Sequence, residues 1–199
     1  MSTDRVPFVA LTGGLGAGKS TALEALGRLG AAVLSSDKVV HELYATAEVR
    51  DAVVGRFGEE VAPGEVVDRR ALAGRMFASD EDRSWVEAQL WPRVRQRMAE
   101  WRDEVDRRRP PPPVAVVEVP LLFESGLDRA FDATIAVVAD ETVRADRAGA
   151  RGHAAVAERT ARQLSQEEKA AKAGYVVVND GTPAELENAL SAVLDMLRG

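Results

Sequence analysis

Val6-Pro7-Phe8-Val9-Ala10-Leu11-Thr12-Gly13-Gly14-Leu15-Gly16-Ala17-Gly18-Lys19-Ser20-Thr21 runs from an apolar segment through four glycines to a lysine and two hydroxyl residues. Val6 to Thr12 is short, mostly apolar and bounded by glycine, the pattern of a strand buried on both faces. Residues 13–20 satisfy G-x-x-x-x-G-K-[ST], and Ser20 to Leu29 carries Leu23, Leu26 and Leu29 at helical spacing before Gly30 stops it. A glycine-rich turn between a strand and a helix lets backbone N–H groups converge on phosphate oxygens, with the positive end of the helix aimed at the same point. Lys19 is a mobile charge able to reach β- and γ-phosphates, and the Ser20 hydroxyl is a candidate Mg²⁺ ligand. The stretch Gly13, Gly14, Leu15, Gly16, Ala17, Gly18, Lys19, Ser20 and Thr21 therefore reads as a phosphate cradle. The competing reading is a glycine-rich turn that binds nothing.

Outward from the cradle, four more short apolar runs read as strands: 31–34, 114–117, 133–138 and 175–178. They alternate with helical sequence, including 38–44, 141–172 (interrupted near Gly149, Gly152 and His153) and 183–197. Strands alternating with helices predict an α/β fold whose parallel sheet is covered on both faces. Between the second and third strands, sequence from about Val49 to Arg109 is charged and helix-favouring. Residues 81–109 read as one long helix with Trp85, Leu90 and Trp101 on its buried side and Pro92 as a kink or fresh turn. Arg107-Arg108-Arg109 and the prolines at 110–113 close this block as an extended linker. The block at 47–111 thus reads as an insertion into a core formed by 1–46 and 112–199.

Composition sets outer limits. The chain has 199 residues, 46% apolar and 29% charged, enough for one large globular domain and unlike a disordered chain. No apolar run reaches the roughly 18 residues of a membrane span, and no secretory leader pattern opens the sequence. Zero Cys excludes a disulfide framework, a thiol nucleophile and a Cys-based zinc site; it suits a reducing compartment and predicts a cytoplasmic protein. The net charge of −6 opposes nucleic acid as the main partner, and nothing points to a membrane. Of 26 basic residues only Lys19, Lys38, Lys169 and Lys172 are lysines, a bias that coding preference accounts for. No long heptad or isolated apolar patch announces an oligomer interface.

A phosphate cradle does not choose among a kinase, a GTPase, a motor and a nucleotide sensor. Asp37 follows the second strand, and functional residues in parallel sheets gather at the carboxyl ends of strands. A carboxylate there could deprotonate an acceptor hydroxyl for in-line attack on a γ-phosphate. It could equally cap a helix beginning at Lys38, since Asp is a favoured N-cap. His41, one turn further on, reads as a solvated surface histidine. No N-K-x-D guanine motif and no S-G-G-Q signature is present, which disfavours GTP switches and ABC-type ATPases.

Together these segments resemble the dephospho-coenzyme A kinase family. Val9 to Thr21 is similar to the family opening V-A-L-T-G-G-[ILV]-G-[SA]-G-K-S-T. Ser35 to His41 resembles D-x-D-x-x-x-H, and Pro120-Leu121-Leu122-Phe123-Glu124-Ser125 resembles P-L-L-x-E-[SN]. Arg147 with Arg151, Arg159 with Gln163, and Ala173 to Gly181 match the remaining motifs in order, so the likeness covers the whole chain. Departures are Ser35 for the first Asp, Trp91-Pro92 for a His-Pro pair, Glu118 for an aspartate and Gly174 for an acidic residue.

The resemblance implies a P-loop kinase-like five-stranded parallel sheet, an inserted helical acceptor-binding region and a short Arg-rich lid at 144–163. It implies ATP on residues 13–21 with Mg²⁺ on Ser20. Dephospho-coenzyme A would be the acceptor, with its ribose 3′-hydroxyl near Asp37 and its pocket lined by Pro120 and Leu121. Asp37 would be the general base, and Lys19 and Arg147 the charges on the transferring phosphoryl. Arg144, Arg151, Arg159 and Arg162 read equally as a solvated helix face. Leu122 reads as core. Arg69, Arg70 and Arg75 of the insertion are unranked candidates for the acceptor pyrophosphate. The rivals are another small-molecule P-loop kinase, acting on a nucleoside or nucleoside monophosphate, and a non-catalytic nucleotide-binding regulator.

Overall fold

The structure, a computed structural model, describes residues 5–149 and 163–198. Five strands form one parallel sheet: β1 (Phe8–Gly13), β2 (Ala32–Ser35), β3 (Ala115–Glu118), β4 (Ala133–Val138) and β5 (Tyr175–Val178), in the order β2-β3-β1-β4-β5. Among the described residues the α-helices are α1 (Lys19–Arg28), α2 (Ser36–Tyr44), α3 (Ala47–Phe57), α4 (Arg69–Ala78), α5 (Asp80–Asp106), α6 (Glu141–Gly149), α7 (Gln166–Lys172) and α8 (Pro183–Arg198). Among the described residues, no helix is long and apolar enough to cross a membrane.

The chain divides into two compact units, Met1–Ser35 with Arg102–Gly199, and Ser36–Trp101. In the first unit Val9, Leu11, Val116, Ile135, Val137 and Val177 stand at alternate strand positions and pack with Ala22 and Leu26 of α1 and Leu186 and Leu190 of α8. The intervening positions Ala10, Val117 and Ala136 are as fully buried. Burial on both faces is why β1, β3 and β4 read as unbroken apolar runs. Strand β5 lies at the edge, so its Val176 and Val178 remain exposed while Val177 is buried.

Three strands begin later than their apolar runs. Val6, Ala31 and Val114 are buried but lie outside the ladder. Hydrophobic pattern records burial, whereas the ladder begins where hydrogen bonds can form: Ala32 donates its N–H to Val114, and Ala115 to Pro7. The register sets Leu11 and Ser35 on either side of Glu118, and Gly13 beside Val137. All five carboxyl ends therefore lie along one edge of the sheet. The cradle follows β1, Pro120 follows β3, Asp140 follows β4 and Asn179 follows β5.

In the second unit, Thr46 caps α3 by accepting from Val49 N–H, and Asp68 caps α4 by accepting from Arg70 and Ala71. Helix α5 runs unbroken through Pro92, and it ends at Asp106 rather than Arg109. Pro92 is solvent-exposed, so water can satisfy the carbonyl that loses its helical partner. The buried stripe of α5 is Val86, Leu90, Val94 and Met98, one residue every fourth position. Trp85 is only half-buried, set edge-on to Phe57 with ring centroids 5.7 Å apart, and Trp101 is half-buried too. The prolines at 110–113 form an irregular connection that opens with a cis bond between Arg109 and Pro110.

Candidate active site

The loop between β1 and α1 follows from its glycines. Gly16 (φ 76°) and Gly18 (φ 90°) occupy the left-handed region, where a side chain would be strained. Space forbids one as well. A Cβ on Gly16 would lie 2.6 Å from the Arg144 carbonyl oxygen, and one on Gly18 would fall on the Asn179 side-chain amide. Ala17 is fully buried and Leu15 half-buried, while Ser20 and Thr21 are exposed on the first turn of α1. Lys19 is the first residue of α1, not a loop residue, and its Nζ donates to the carbonyls of Gly13 (3.1 Å) and Gly14 (2.9 Å). Its ammonium is thus held over the mouth of the loop.

Asn179 ties this loop to α6. Only 5% exposed, it donates Nδ2–H to the Ala17 carbonyl (2.8 Å), and its own carbonyl accepts from Arg147 Nη1 (3.0 Å). That Arg147 nitrogen is 3.7 Å from where a Gly18 Cβ would sit. Arg144, one helical turn earlier, brings Nη1 to 3.3 Å from the corresponding point on Gly14. Its Nε is buried with no hydrogen-bond partner among the described residues. Asp140, at the start of this helix, has its carboxyl held below the usual range, chiefly by the Thr142 hydroxyl, with Thr142 N–H and the Arg144 charge adding to it. Lys19 and Arg147 are therefore brought to the same loop. Arg151, Gly152, His153, Arg159 and Arg162 lie outside the described residues.

At the end of β3, Pro120 and Leu121 are half-buried and begin a compact turn, while Leu122 is fully buried core. Ser125 donates its hydroxyl to the Leu121 carbonyl (2.7 Å). Glu118 is 6% exposed at the last position of the strand. Sequence reading gave no role to Asn179, Glu124, Gln166 or Lys169. Gln166 of α7 exchanges hydrogen bonds with both backbone groups of Ala139, 2.7 and 3.0 Å, closing the end of β4 over the loop. Two of the four carried a signal: Asn179 lies inside the closing motif after β5, and Glu124 inside the motif that begins at Pro120.

Asp37 belongs to the second unit. Helix α2 starts at Ser36, so Asp37 sits in its first turn rather than before it, and it is exposed with no hydrogen bond to another described residue of this unit. The capping geometry considered for it is not formed. His41 is exposed, as expected, with Arg69 Nη1 3.5 Å from its Nδ1. Arg75 is paired with Glu60, whereas Arg69 forms no ion pair among the described residues of this unit.

A glycine-rich phosphate loop on the central strand of a parallel sheet, with a lysine and an arginine on its rim, defines a P-loop nucleotide-binding protein of the α/β class. The family model described as Dephospho-CoA kinase matches residues 7–185. A dephospho-CoA kinase of Protochlamydia amoebophila is 35% identical over 194 residues, covering 96% of each chain. The solved structure of TT1252 from Thermus thermophilus is similar, with 33% identity, a TM-score of 0.80 and coverage of 98% of this chain and all of that one. A dephospho-CoA kinase structure from Campylobacter jejuni shares the fold at TM-score 0.69 and 24% identity, covering 96% of both chains. The chain belongs to the dephospho-CoA kinase family.

Proposed function

We propose that this chain transfers the γ-phosphoryl of ATP to the ribose 3′-hydroxyl of dephospho-coenzyme A, with Asp37, Lys19 and Arg147 as its catalytic side chains. As a member of its family the chain is an ATP-using kinase of coenzyme A synthesis. In the reaction the acceptor oxygen bonds to the γ-phosphorus, its proton passes to the Asp37 carboxylate, and the bond to the β-phosphate bridging oxygen breaks. ATP sits on Gly13 to Thr21, and Pro120 and Leu121 line the acceptor pocket. Phosphoryl transfer needs positioning and positive charge on the equatorial oxygens more than covalent chemistry. The observation that carries this reading is the joint placement of the Lys19 ammonium and the Arg147 guanidinium around one phosphate loop.

Mg²⁺ fits the donors present. Ser20 offers an exposed hard oxygen beside Lys19, and no cluster of three carboxylate, His or Cys ligands exists among the described residues. A cation that keeps its waters and takes phosphate oxygens suits such a site better than one demanding an all-protein cage. Bound there, it would neutralise charge on the β- and γ-phosphates. Excess chelator should abolish turnover; full activity in its presence would contradict the Ser20 assignment. In the second unit, Arg69 and Arg70 are exposed and form no ion pair among its described residues, whereas Arg75 is paired with Glu60, so the first two are the freer candidates for the acceptor pyrophosphate. A cytoplasmic site of action, which the cysteine-free composition suits, completes the reading.

The direct test is incubation with ATP, Mg²⁺ and a panel of acceptors, the product being identified by mass. Turnover of a nucleoside or nucleoside monophosphate in place of dephospho-coenzyme A would overturn the substrate assignment. Arg147→Lys tests the role on the α6 side. A guanidinium presents a planar fork to two phosphoryl oxygens, an ammonium only a compact centre. The loss should fall on kcat, because these bonds strengthen as charge redistributes in the transition state. An unchanged kcat with a raised KM for ATP would make Arg147 a ground-state contact.

A further inference from the structure

Among the described residues, Lys169 is the largest fully buried side chain, on a short helix of the first unit whose Glu167, Glu168 and Lys172 are exposed. A buried ammonium is costly unless paired and fully bonded. Its Nζ donates to the Pro120 carbonyl at 2.6 Å and forms an ion pair with Glu124 Oε1 at 3.0 Å. The same Oε1 accepts the backbone N–H of Leu164 at 2.8 Å, and the Pro120 carbonyl also receives the Thr12 hydroxyl at 3.4 Å. Both ends of the 120–125 turn are thereby fixed by one charge: its first carbonyl directly and its fifth side chain through the ion pair. Hydrophobic packing alone would not need this arrangement, since Leu122 already anchors the middle of the turn in the core. A well-packed apolar replacement of a buried ion pair is often neutral or stabilising, so the pair is weakly explained by stability.

We infer that Lys169 and Glu124 are positioning residues, which set the Pro120–Leu121 turn so that it presents its surface to the phosphoryl acceptor. The inference rests on the proposed reading of that turn as part of the acceptor site. Lys169 acts from α7, whose other tie to the sheet is Gln166 on Ala139, beside the phosphate loop. Loss of Lys169 therefore loosens the acceptor turn while Gln166 continues to hold the ATP side. The signature is an effect on one substrate and not on the other.

The test is the pair variant Lys169→Met with Glu124→Gln, assayed with ATP, Mg²⁺ and dephospho-coenzyme A beside Leu121→Ala. It removes both charges, so neither is left buried alone, and it keeps an amide oxygen for Leu164 N–H. The expected result is a KM for the acceptor raised about tenfold or more, with the KM for ATP within about twofold and the melting temperature near the parent's. Equal rises in both KM values, or an unchanged acceptor KM while Leu121→Ala raises it, would overturn the positioning role alone. An unchanged acceptor KM in Leu121→Ala would remove the turn from the acceptor site and the inference with it. If the pair variant does not fold, Glu124→Gln decides. It keeps one oxygen for Leu164 N–H and Lys169 Nζ, exchanges the other, which bonds to none of the described residues, for an amide NH2, and removes the charge; a several-fold rise confined to the acceptor KM supports the inference, whereas none overturns it.

Discussion

Lys19→Ala should reduce phosphoryl transfer by about a thousandfold or more at saturating ATP while the protein stays folded. Removing one donor preorganised towards a developing negative charge typically costs a factor of about a hundred to a thousand, and Lys19 brings a full charge where an ordinary donor brings a dipole. The side chain donates to the carbonyls of Gly13 and Gly14, which places its charge at the loop rather than in the core. Its structural cost is small. Alanine is the best helix former for the first position of α1, and two lost hydrogen bonds amount to about 2 kcal/mol net. In a chain of this length that moves the melting temperature by a few degrees. Single-turnover measurement of coenzyme A formation, with thermal unfolding measured in parallel, separates the two effects. Activity within tenfold of the parent would remove the phosphate loop from the mechanism.

The fold and the loop were legible because both depend on local rules. The apolar runs of β1, β3 and β4 are unbroken since both faces of the sheet are buried, and that is a sequence-level property. Glycines at 16 and 18 announce a backbone that only glycine adopts beside Arg144 and Asn179. What sequence could not supply was pairing across distance. Lys169 reads as one more lysine on a short polar helix. Its burial comes from Glu124, 45 positions earlier, and from a backbone carbonyl, which has no residue signature at all. Asn179 likewise acquires its role only when β5 sets it against Ala17. The stripe on α5 is legible only in part, for a related reason: Leu90 is buried as expected, whereas Trp85 and Trp101 are half-buried. Tryptophans outrank valine on hydrophobicity, yet their bulk leaves Trp85 and Trp101 at the margin while Val86 and Val94 fill the interior.

Asp37→Asn parts the two readings of that carboxylate most sharply. A cap must stand before the helix and accept N–H bonds two or three residues on. Asp37 is instead the second residue of α2, exposed, and bonded to none of the described backbone N–H groups of its unit. What its charge offers the fold is the interaction of an anion with the positive end of a helix, about 0.3–1 kcal/mol. The asparagine variant should therefore melt within a few degrees of the parent. As a base, however, the carboxylate has no substitute, because an amide oxygen cannot take up the acceptor proton at neutral pH. Transfer should fall by roughly a hundredfold or more, the usual size of a lost general base. Ser35 stands where the family motif has its other aspartate, so no neighbouring carboxylate in this segment can take over the proton. ATP affinity should stay at the parent's value, since Asp37 is not one of the residues 13–21 that cradle the phosphates. Thermal unfolding, titration with ATP and kcat on dephospho-coenzyme A, each measured on both proteins, read the three quantities separately. A variant as active as the parent would end the base assignment, and a variant that lost ATP binding would place Asp37 on the nucleotide instead.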